Sequence, residues 1–380
     1  MKTSIFIYSP ELLNYRFPDG HPFTQKRLDL TLTLIRSLDL IDDEQIVPPR
    51  QATDEEISLI HSQQFITAVK EASQATDHFD GLPFGLGTED VPIFKNMHET
   101  SALIVGGSLV AADYVMNNPG THAVNLSGGL HHALQGQASG FCVYNDCSIM
   151  IAYLRKKYNV RILYVDTDAH HGDGVQWSFY HDPNVMTLSF HETGKYLFPG
   201  TGHVTERGDG EGFGYSLNVP LDPYTEDDSF LEAYQTVFEQ AIQSFKPDLL
   251  VTQNGVDAHR YDPLTHLSTS MRVYREIPKL AHRLAHQYCE GRWIALGGGG
   301  YDIWRVVPRA WTYLWAEMND RPIEDADIPK TWIELWQNES QYPLPTNFFD
   351  PHFAPIPRRA EIEKKNRLTV ERVLAYLSGR

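Results

Sequence analysis

The sequence predicts an α/β protein with a single domain: one open, mainly parallel sheet with helices on both faces. Three observations carry that expectation. Short apolar runs recur along the chain, helical patterns fill the intervals between them, and no repeat or low-complexity linker divides the 380 residues. Several runs are continuous rather than alternating, as in Ile162-Leu163-Tyr164-Val165 and Leu249-Leu250-Val251, which suits strands covered on both faces. Strands that alternate with helices pair in parallel, because each crossover returns the chain to the same end of the sheet.

In chain order the expected strands are Ser4–Ser9, His122–Ser127, Arg161–Asp166, Val185–Phe190, Tyr215–Leu221, Asp248–Asn254 and Trp293–Gly297. Amphipathic spacing predicts helices over Leu28–Leu40, Phe230–Phe245, Arg272–Tyr288 and Val306–Met318. Asp80–Pro92 and Phe198–Gly214 are rich in Gly or Pro and read as loops. Past Gln337 the chain turns proline-rich, at Pro343, Pro345, Pro351, Pro355 and Pro357, and then helical from Arg359 to Leu377. Residues 321–380 are therefore expected as an extension packed on, or appended to, a domain spanning 1–320.

Composition narrows the function. Hydrophobic residues at 42% and charged residues at 21% allow a large core and exclude global disorder. A net charge of -17 repels phosphate backbones, so nucleic acid is not the expected ligand. Three cysteines (Cys142, Cys147 and Cys289), with no C-x-x-C, argue against a disulfide framework and a thiolate zinc site. The start MKTSIFIYSP is too polar for a signal peptide, and no apolar run reaches the ~18 residues of a membrane span. The expectation is a cytoplasmic enzyme without a membrane partner.

Ligands of open α/β sheets bind beyond the carboxyl ends of the strands. The unusual residues cluster there, after four strands: Gly128-Gly129-Leu130-His131-His132, Asp166-Thr167-Asp168-Ala169-His170-His171-Gly172-Asp173, Gly255-Val256-Asp257 and Gly297-Gly298-Gly299-Gly300-Tyr301. In Asp166-x-Asp168-x-His170, alternate side chains can share one side, and two carboxylates with an imidazole suit a catalytic divalent metal. Asp257 is the natural remote carboxylate. The competing reading is hydrogen-bonded helix caps, with Asp173 the candidate N-cap. His131-His132 can exchange protons near neutral pH, and each needs a carboxylate partner; as a surface pair they would do nothing. The Gly297–Gly300 run lacks the pattern of a phosphate loop and reads as close backbone approach, ending on a Tyr301 that either packs or donates to an oxyanion.

These stretches resemble the zinc-dependent deacetylase superfamily: the class I histone deacetylases and, more closely, its bacterial acetoin-utilisation branch. The resemblance rests on NLSGGLHHALQGQASGFCVYND (Asn125–Asp146), RILYVDTDAHHGDGVQ (Arg161–Gln176), HETGKYLFPGTG (His191–Gly202), QNGVDAHRYDPL (Gln253–Leu264) and LGGGGYDIWRVVPRAW (Leu296–Trp311). HPFTQKR (His21–Arg27) and GLGTED (Gly85–Asp90) extend it, so that it runs from the first residue to about 320. It implies an arginase/deacetylase-like three-layer fold, with 1–320 as the catalytic domain, and hydrolysis of acetyl-lysine on a protein substrate to lysine and acetate. Acetyl-CoA synthetase is the target the acetoin branch points to.

The resemblance also assigns residues. Asp168, His170 and Asp257 would hold zinc, or ferrous iron in the cell. His132, paired with Asp173, would be the general base and acid; His131, paired with Asp166, its electrostatic partner; and Tyr301 the group polarising the acetyl carbonyl. Gly140, Phe141 and Phe198 would line the tunnel for the acyl-lysine stem, Leu264 its mouth, Asp90 the rim that holds the substrate backbone, and Arg27 an exit channel for acetate. Structural potassium would sit on Asp166, Asp168, His170, Ser189 and Phe190, and again on Phe179, Asp182, Val185 and Tyr215. Leu130 departs from the aromatic residue many class I members carry before the His pair. The rival implications are an acetylpolyamine amidohydrolase of the same superfamily, a two-metal ureohydrolase, and a non-catalytic acyl-lysine binding module. The ureohydrolase would need further ligands near Asp257, where the sequence offers only His259.

Overall fold

A computed structural model describes residues 4–75, 79–324 and 326–379. Among them eight strands form one sheet in the order β2-β1-β3-β8-β7-β4-β5-β6, every pair parallel. The strands are β1 (Ile5–Ile7), β2 (Ile46–Val47), β3 (His122–Asn125), β4 (Ile162–Asp166), β5 (Val185–Glu192), β6 (Ser216–Leu221), β7 (Leu249–Gln253) and β8 (Trp293–Leu296). The seven expected strands are present, several shorter at their ends because the chain turns into site loops. β2 was not anticipated: two residues carry no periodicity, and only pairing with β1 makes them a strand.

The helices are α1 (Lys26–Ser37), α2 (Asp54–Ile57), α3 (Gln63–Gln74), α4 (Met97–Asn117), α5 (Asp146–Tyr158), α6 (Asp173–Ser178), α7 (Asp227–Phe245), α8 (Met271–Tyr288), α9 (Val307–Met318), α10 (Lys330–Trp336) and α11 (Arg359–Ser378). They pack in two groups. One runs α10-α1-α9-α8-α7-α11 by successive contacts, and the other joins α3, α4, α5 and α6. β4 and β7 are buried throughout, as strands covered on both faces must be. α4 was missed in the sequence because its buried residues, among them Ala102, Ile104, Val105, Leu109, Ala111 and Ala112, surround it rather than forming a stripe.

The chain after 320 stays on the same body. Trp332 donates its indole N–H to Leu30 O at 3.0 Å, and α11 packs on α7 and β6. There Asn366 is buried and donates to Thr225 Oγ1 at 2.8 Å and Ser229 Oγ at 2.9 Å, while accepting the Asp222 N–H at 3.0 Å. Among the described residues no helix is long and apolar enough to cross a membrane.

Candidate active site

The carboxyl ends of β3, β4, β7 and β8 are neighbours in the sheet, which brings the four unusual loops together. From β4, Asp166 and Asp168 turn inward, and Asp166 Oδ1 accepts the Asp168 N–H at 3.1 Å. Asp257, past β7, accepts the Ala169 N–H at 2.7 Å. His170 Nδ1 then stands 3.1 Å from Asp168 Oδ1 and 2.9 Å from Asp257 Oδ2. One ring nitrogen cannot serve both oxygens with a single proton, whereas a divalent ion satisfies all three donors at once. The three ligand atoms lie within 4.8 Å of one another and all three residues are buried, so two carboxylates are held out of water in need of a cation. The donor set fits the metal that the sequence implies.

Glycine at 299 is what lets β8 close on this cluster. A Cβ there would lie 2.2 Å from Asp257 Oδ2, and the Gly299 N–H donates to Asp168 Oδ2 at 2.6 Å. The same oxygen accepts from Gln253 Nε2 at 2.8 Å. The glycine run thus comes close to the carboxylates of Asp168 and Asp257. The next residue, Tyr301, donates its backbone N–H to Asp262 Oδ2 at 2.8 Å. Burial, and then the carboxylates of Asp257 and Asp168, push its phenol well above the usual range, so it remains a donor.

The two histidines form separate pairs. His131 Nδ1 lies 2.7 Å from Asp166 Oδ2, and His132 Nδ1 lies 2.7 Å from Asp173 Oδ1. Asp173 is the first residue of α6, and Gly172 occupies the capping position, so Asp173 is not the N-cap. Burial lowers His131, but the charges of Asp166 and Asp168 outweigh it and raise the ring to about 9. Burial and the neighbouring His131 lower His132 to about 4. Two adjacent rings are thus pushed in opposite directions by their surroundings.

Other expected residues fall around these. Phe198 packs edge-on to His132 at 5.0 Å and lies 6.5 Å from His170, while remaining 46% exposed, which puts it at a mouth rather than a floor. Phe141 packs edge-on to Tyr301 at 5.8 Å. Gly140 has φ +54, and a Cβ on it would lie 2.3 Å from the His132 ring. Asp90 Oδ2 accepts the Gly140 N–H at 2.7 Å, so the acid braces the wall beside its expected rim position. Leu264 is half-buried and follows Asp262, whose Oδ1 accepts its N–H at 3.0 Å.

Arg27 is buried between Phe23 and Trp311 and donates through Nη1 to Gly298 O at 2.7 Å. Its Nε and Nη2 have no partner among the described residues, and burial lowers it to about 10. Of the expected potassium positions, Ser189 pairs directly with Asp166 across β4 and β5, and Phe190 is the next residue of β5. Phe179, Asp182 and Val185 are linked by successive backbone bonds, and Tyr215 O accepts the Thr187 N–H at 3.0 Å.

The sequence reading overlooked several supports. Asp146 accepts the N–H groups of Gly129 and Leu130 at 3.0 and 2.9 Å, fixing the loop before the His pair. Leu130 itself is buried. Tyr164 donates to Asp166 Oδ2 at 2.7 Å, and Tyr15 donates to Phe141 O at 2.6 Å. Tyr164 was visible only as a strand residue, and no spacing links Tyr15 to Phe141. His259 turns away from the Asp168–His170–Asp257 cluster to Asp350 Oδ2 at 2.8 Å, which removes it as a candidate second-metal ligand. Asp350 also receives Arg309 Nη2 at 2.8 Å and the Met271 N–H at 2.8 Å.

An all-parallel sheet with two His–Asp pairs, an Asp-His-Asp cluster and a tyrosine at its carboxyl edge defines a deacetylase-type hydrolase. The chain belongs to the histone deacetylase family: the histone deacetylase domain matches residues 21–318. It lies close to the acetoin utilization protein AcuC, being 55% identical to that of Bacillus subtilis (strain 168) over 378 residues, 98% of this chain and 97% of that one. The AcuC of Staphylococcus aureus (strain MRSA252) is 49% identical over 370 residues, 97% of this chain and 95% of that one. Among solved structures, a histone deacetylase homologue complexed with SAHA superposes with a TM-score of 0.87 at 31% identity, covering 98% of this chain and all (100%) of that one. A homologue from Aquifex aeolicus gives 0.83 at 30% identity, covering 96% and 100%.

Proposed function

We propose that the protein is a metal-dependent lysine deacetylase that hydrolyses acetyl-lysine on a protein substrate to lysine and acetate. The observation that carries this reading is the geometry of two buried His–Asp pairs, His131–Asp166 and His132–Asp173, set beside the Asp168–His170–Asp257 cluster. Asp168, His170 and Asp257 would hold a divalent ion, which would supply Lewis-acid polarisation of the acetyl carbonyl and acidify a water. Zinc and ferrous iron both suit two carboxylates and an imidazole.

The remaining work falls to the chain. His132, neutral and oriented by Asp173, takes the proton of the attacking water through Nε2. His131, cationic against Asp166, offsets the negative charge that develops beside it. The Tyr301 hydroxyl donates to the oxyanion, and His132 returns the proton to the leaving amine. Gly140, Phe141 and Phe198 confine the lysine stem, with Leu264 and Asp90 at the entrance. Arg27, with its unused donors, offers acetate a cationic exit. Carbonyl-rich positions at Asp166, Asp168, His170, Ser189 and Phe190, and at Phe179, Asp182, Val185 and Tyr215, would hold structural potassium.

Residues 1–320 form the catalytic domain in this reading, and 321–380 an extension that braces it. The reading takes acetyl-CoA synthetase as the substrate and the cytoplasm as the setting, which is what the resemblance of the sequence to the acetoin-utilisation branch implies. The test is turnover of an acetyl-lysine peptide and of an N-acetylated polyamine by the zinc-loaded protein, before and after chelation. Metal-dependent cleavage of the peptide is expected. Preference for the polyamine would transfer the reading to an acetylpolyamine amidohydrolase, and binding without turnover to an acyl-lysine binding module. Restored acetyl-CoA synthetase activity on incubation with the enzyme tests the target.

A further inference from the structure

A second cluster of nitrogen donors lies at the opposite end of the sheet. His122 opens β3, and His282 and His286 stand one turn apart near the end of α8. One ligand atom from each lies within 4.8 Å of the others. His282 Nε2 and His286 Nε2 are 3.1 Å apart. Two imidazole nitrogens bound at ~2.0–2.1 Å to one tetrahedral ion stand about 3.3–3.4 Å apart, so little movement is required.

The surroundings are those of a held ligand set. His282 directs Nδ1 toward Glu317 Oε1 at 3.5 Å, which leaves Nε2 facing the other rings; a carboxylate behind an imidazole is the usual orienting arrangement in metal sites. His122 is 3% exposed, yet its Nδ1 has no hydrogen-bond partner among the described residues. Such orphaned buried nitrogens are rare and call for an explanation. Gly291, at φ +73, lies so close that a Cβ on it would come within 2.9 Å of the His286 ring. Trp293 stacks on His282 at 5.9 Å and closes the inner side. His286 is exposed, giving an ion a path from solvent.

We propose that His122, His282 and His286 bind one divalent transition-metal ion of the imidazole-preferring class, zinc foremost, apart from the catalytic cluster. Three neutral rings leave a fourth position for water on the exposed side. The ion ties the start of β3 to the last turns of α8. The His282–His286 hydrogen bond leaves the Nδ1 of His122 unpartnered; the ion engages all three rings.

The experiment uses the full chain with its catalytic site already loaded with zinc and free metal removed. Calorimetric titration with zinc, and separately with nickel, is expected to show about one further ion per chain and a higher midpoint of thermal unfolding. His286→Gln, at an exposed position, should abolish that second uptake while the tightly held first ion stays. His282→Gln should do the same. Copper bound at the second site should show nitrogen hyperfine structure that simplifies in His286→Gln. Absence of a second ion at submillimolar zinc, or an unchanged second ion in His286→Gln, overturns the proposal.

Discussion

His131 and His132 face each other through Nε2 atoms 3.0 Å apart, while their Nδ1 atoms are committed to different carboxylates. Adjacent rings of identical chemistry are thereby driven in opposite directions, His131 up to about 9 and His132 down to about 4. At His131 the charges of Asp166, Asp168 and Asp173 outweigh burial, whereas at His132 burial and the neighbouring His131 outweigh Asp173.

Replacing His132 by Gln removes the base but leaves Asp168, His170 and Asp257 untouched. Loss of a positioned general base typically costs about 10²–10⁴-fold in rate. Turnover of the acetyl-lysine peptide should fall by that order with metal content unchanged. Full activity would show that another group takes the proton.

Tyr301→Phe removes one hydroxyl and keeps the ring against Phe141. If that oxygen binds the oxyanion more strongly than the ground-state carbonyl, the loss appears in kcat, at about 2.7–4 kcal/mol or roughly a hundred- to thousandfold. Steady-state kinetics should show this with KM changed far less. An unaltered kcat would make Tyr301 a packing residue.

Asp350 is nearly buried, and burial alone would raise its carboxyl. The hydrogen bond and charge of His259, with Arg309, more than reverse that and hold it below the usual carboxylate range. A lowered folded-state pKa means that the stabilisation is present above the ordinary carboxylate range and is lost as pH falls through the folded value. Asp350→Asn strands a buried Arg309 and should cost about 3–5 kcal/mol at neutral pH. Urea unfolding should show the gap between the two proteins narrowing in acid; a constant gap would contradict the assignment.

His61 illustrates the opposite sign. Burial lowers it to about 4, and its Nε2 accepts the Asn145 N–H at 3.0 Å, so the fold requires the neutral ring. The unfolded chain takes up this proton first, and stability therefore declines as pH falls from the ordinary histidine value toward 4. One such group contributes a slope of about 1.4 kcal/mol per pH unit. In His61→Gln, whose amide oxygen can accept the same N–H, stability should decline less steeply over that interval. Parallel curves would show that the ring is protonated in place.

The site could be read from sequence because its residues sit at strand ends, where an apolar run followed by Asp, His or Gly is conspicuous. β4 with Asp166, Asp168 and His170 shows this, as does β8 with its glycines and Tyr301. What escaped lacks a local signature. β2 exists only through its neighbour, and the buried residues of α4 spread too widely around it to form a stripe. Asp146, Tyr15 and Asp350 act through contacts formed across the fold, which no spacing along the chain reveals. Asp90 was placed at the rim, and its bond to Gly140 N–H depends on two loops meeting.

The Asp350 contacts bear on how the molecule is made. By the time Tyr301 has been synthesised, every residue assigned to the chemistry has been translated, and the strands could already pair. His259, two residues from Asp257, nevertheless waits for a carboxylate that lies 91 positions downstream. A nascent chain stalled in between would carry the full catalytic inventory with Arg309 facing an empty place in the interior. Synthesis through Asp350 is thus needed before Arg309 and His259 are paired, and chains terminated before it should be cleared as misfolded protein.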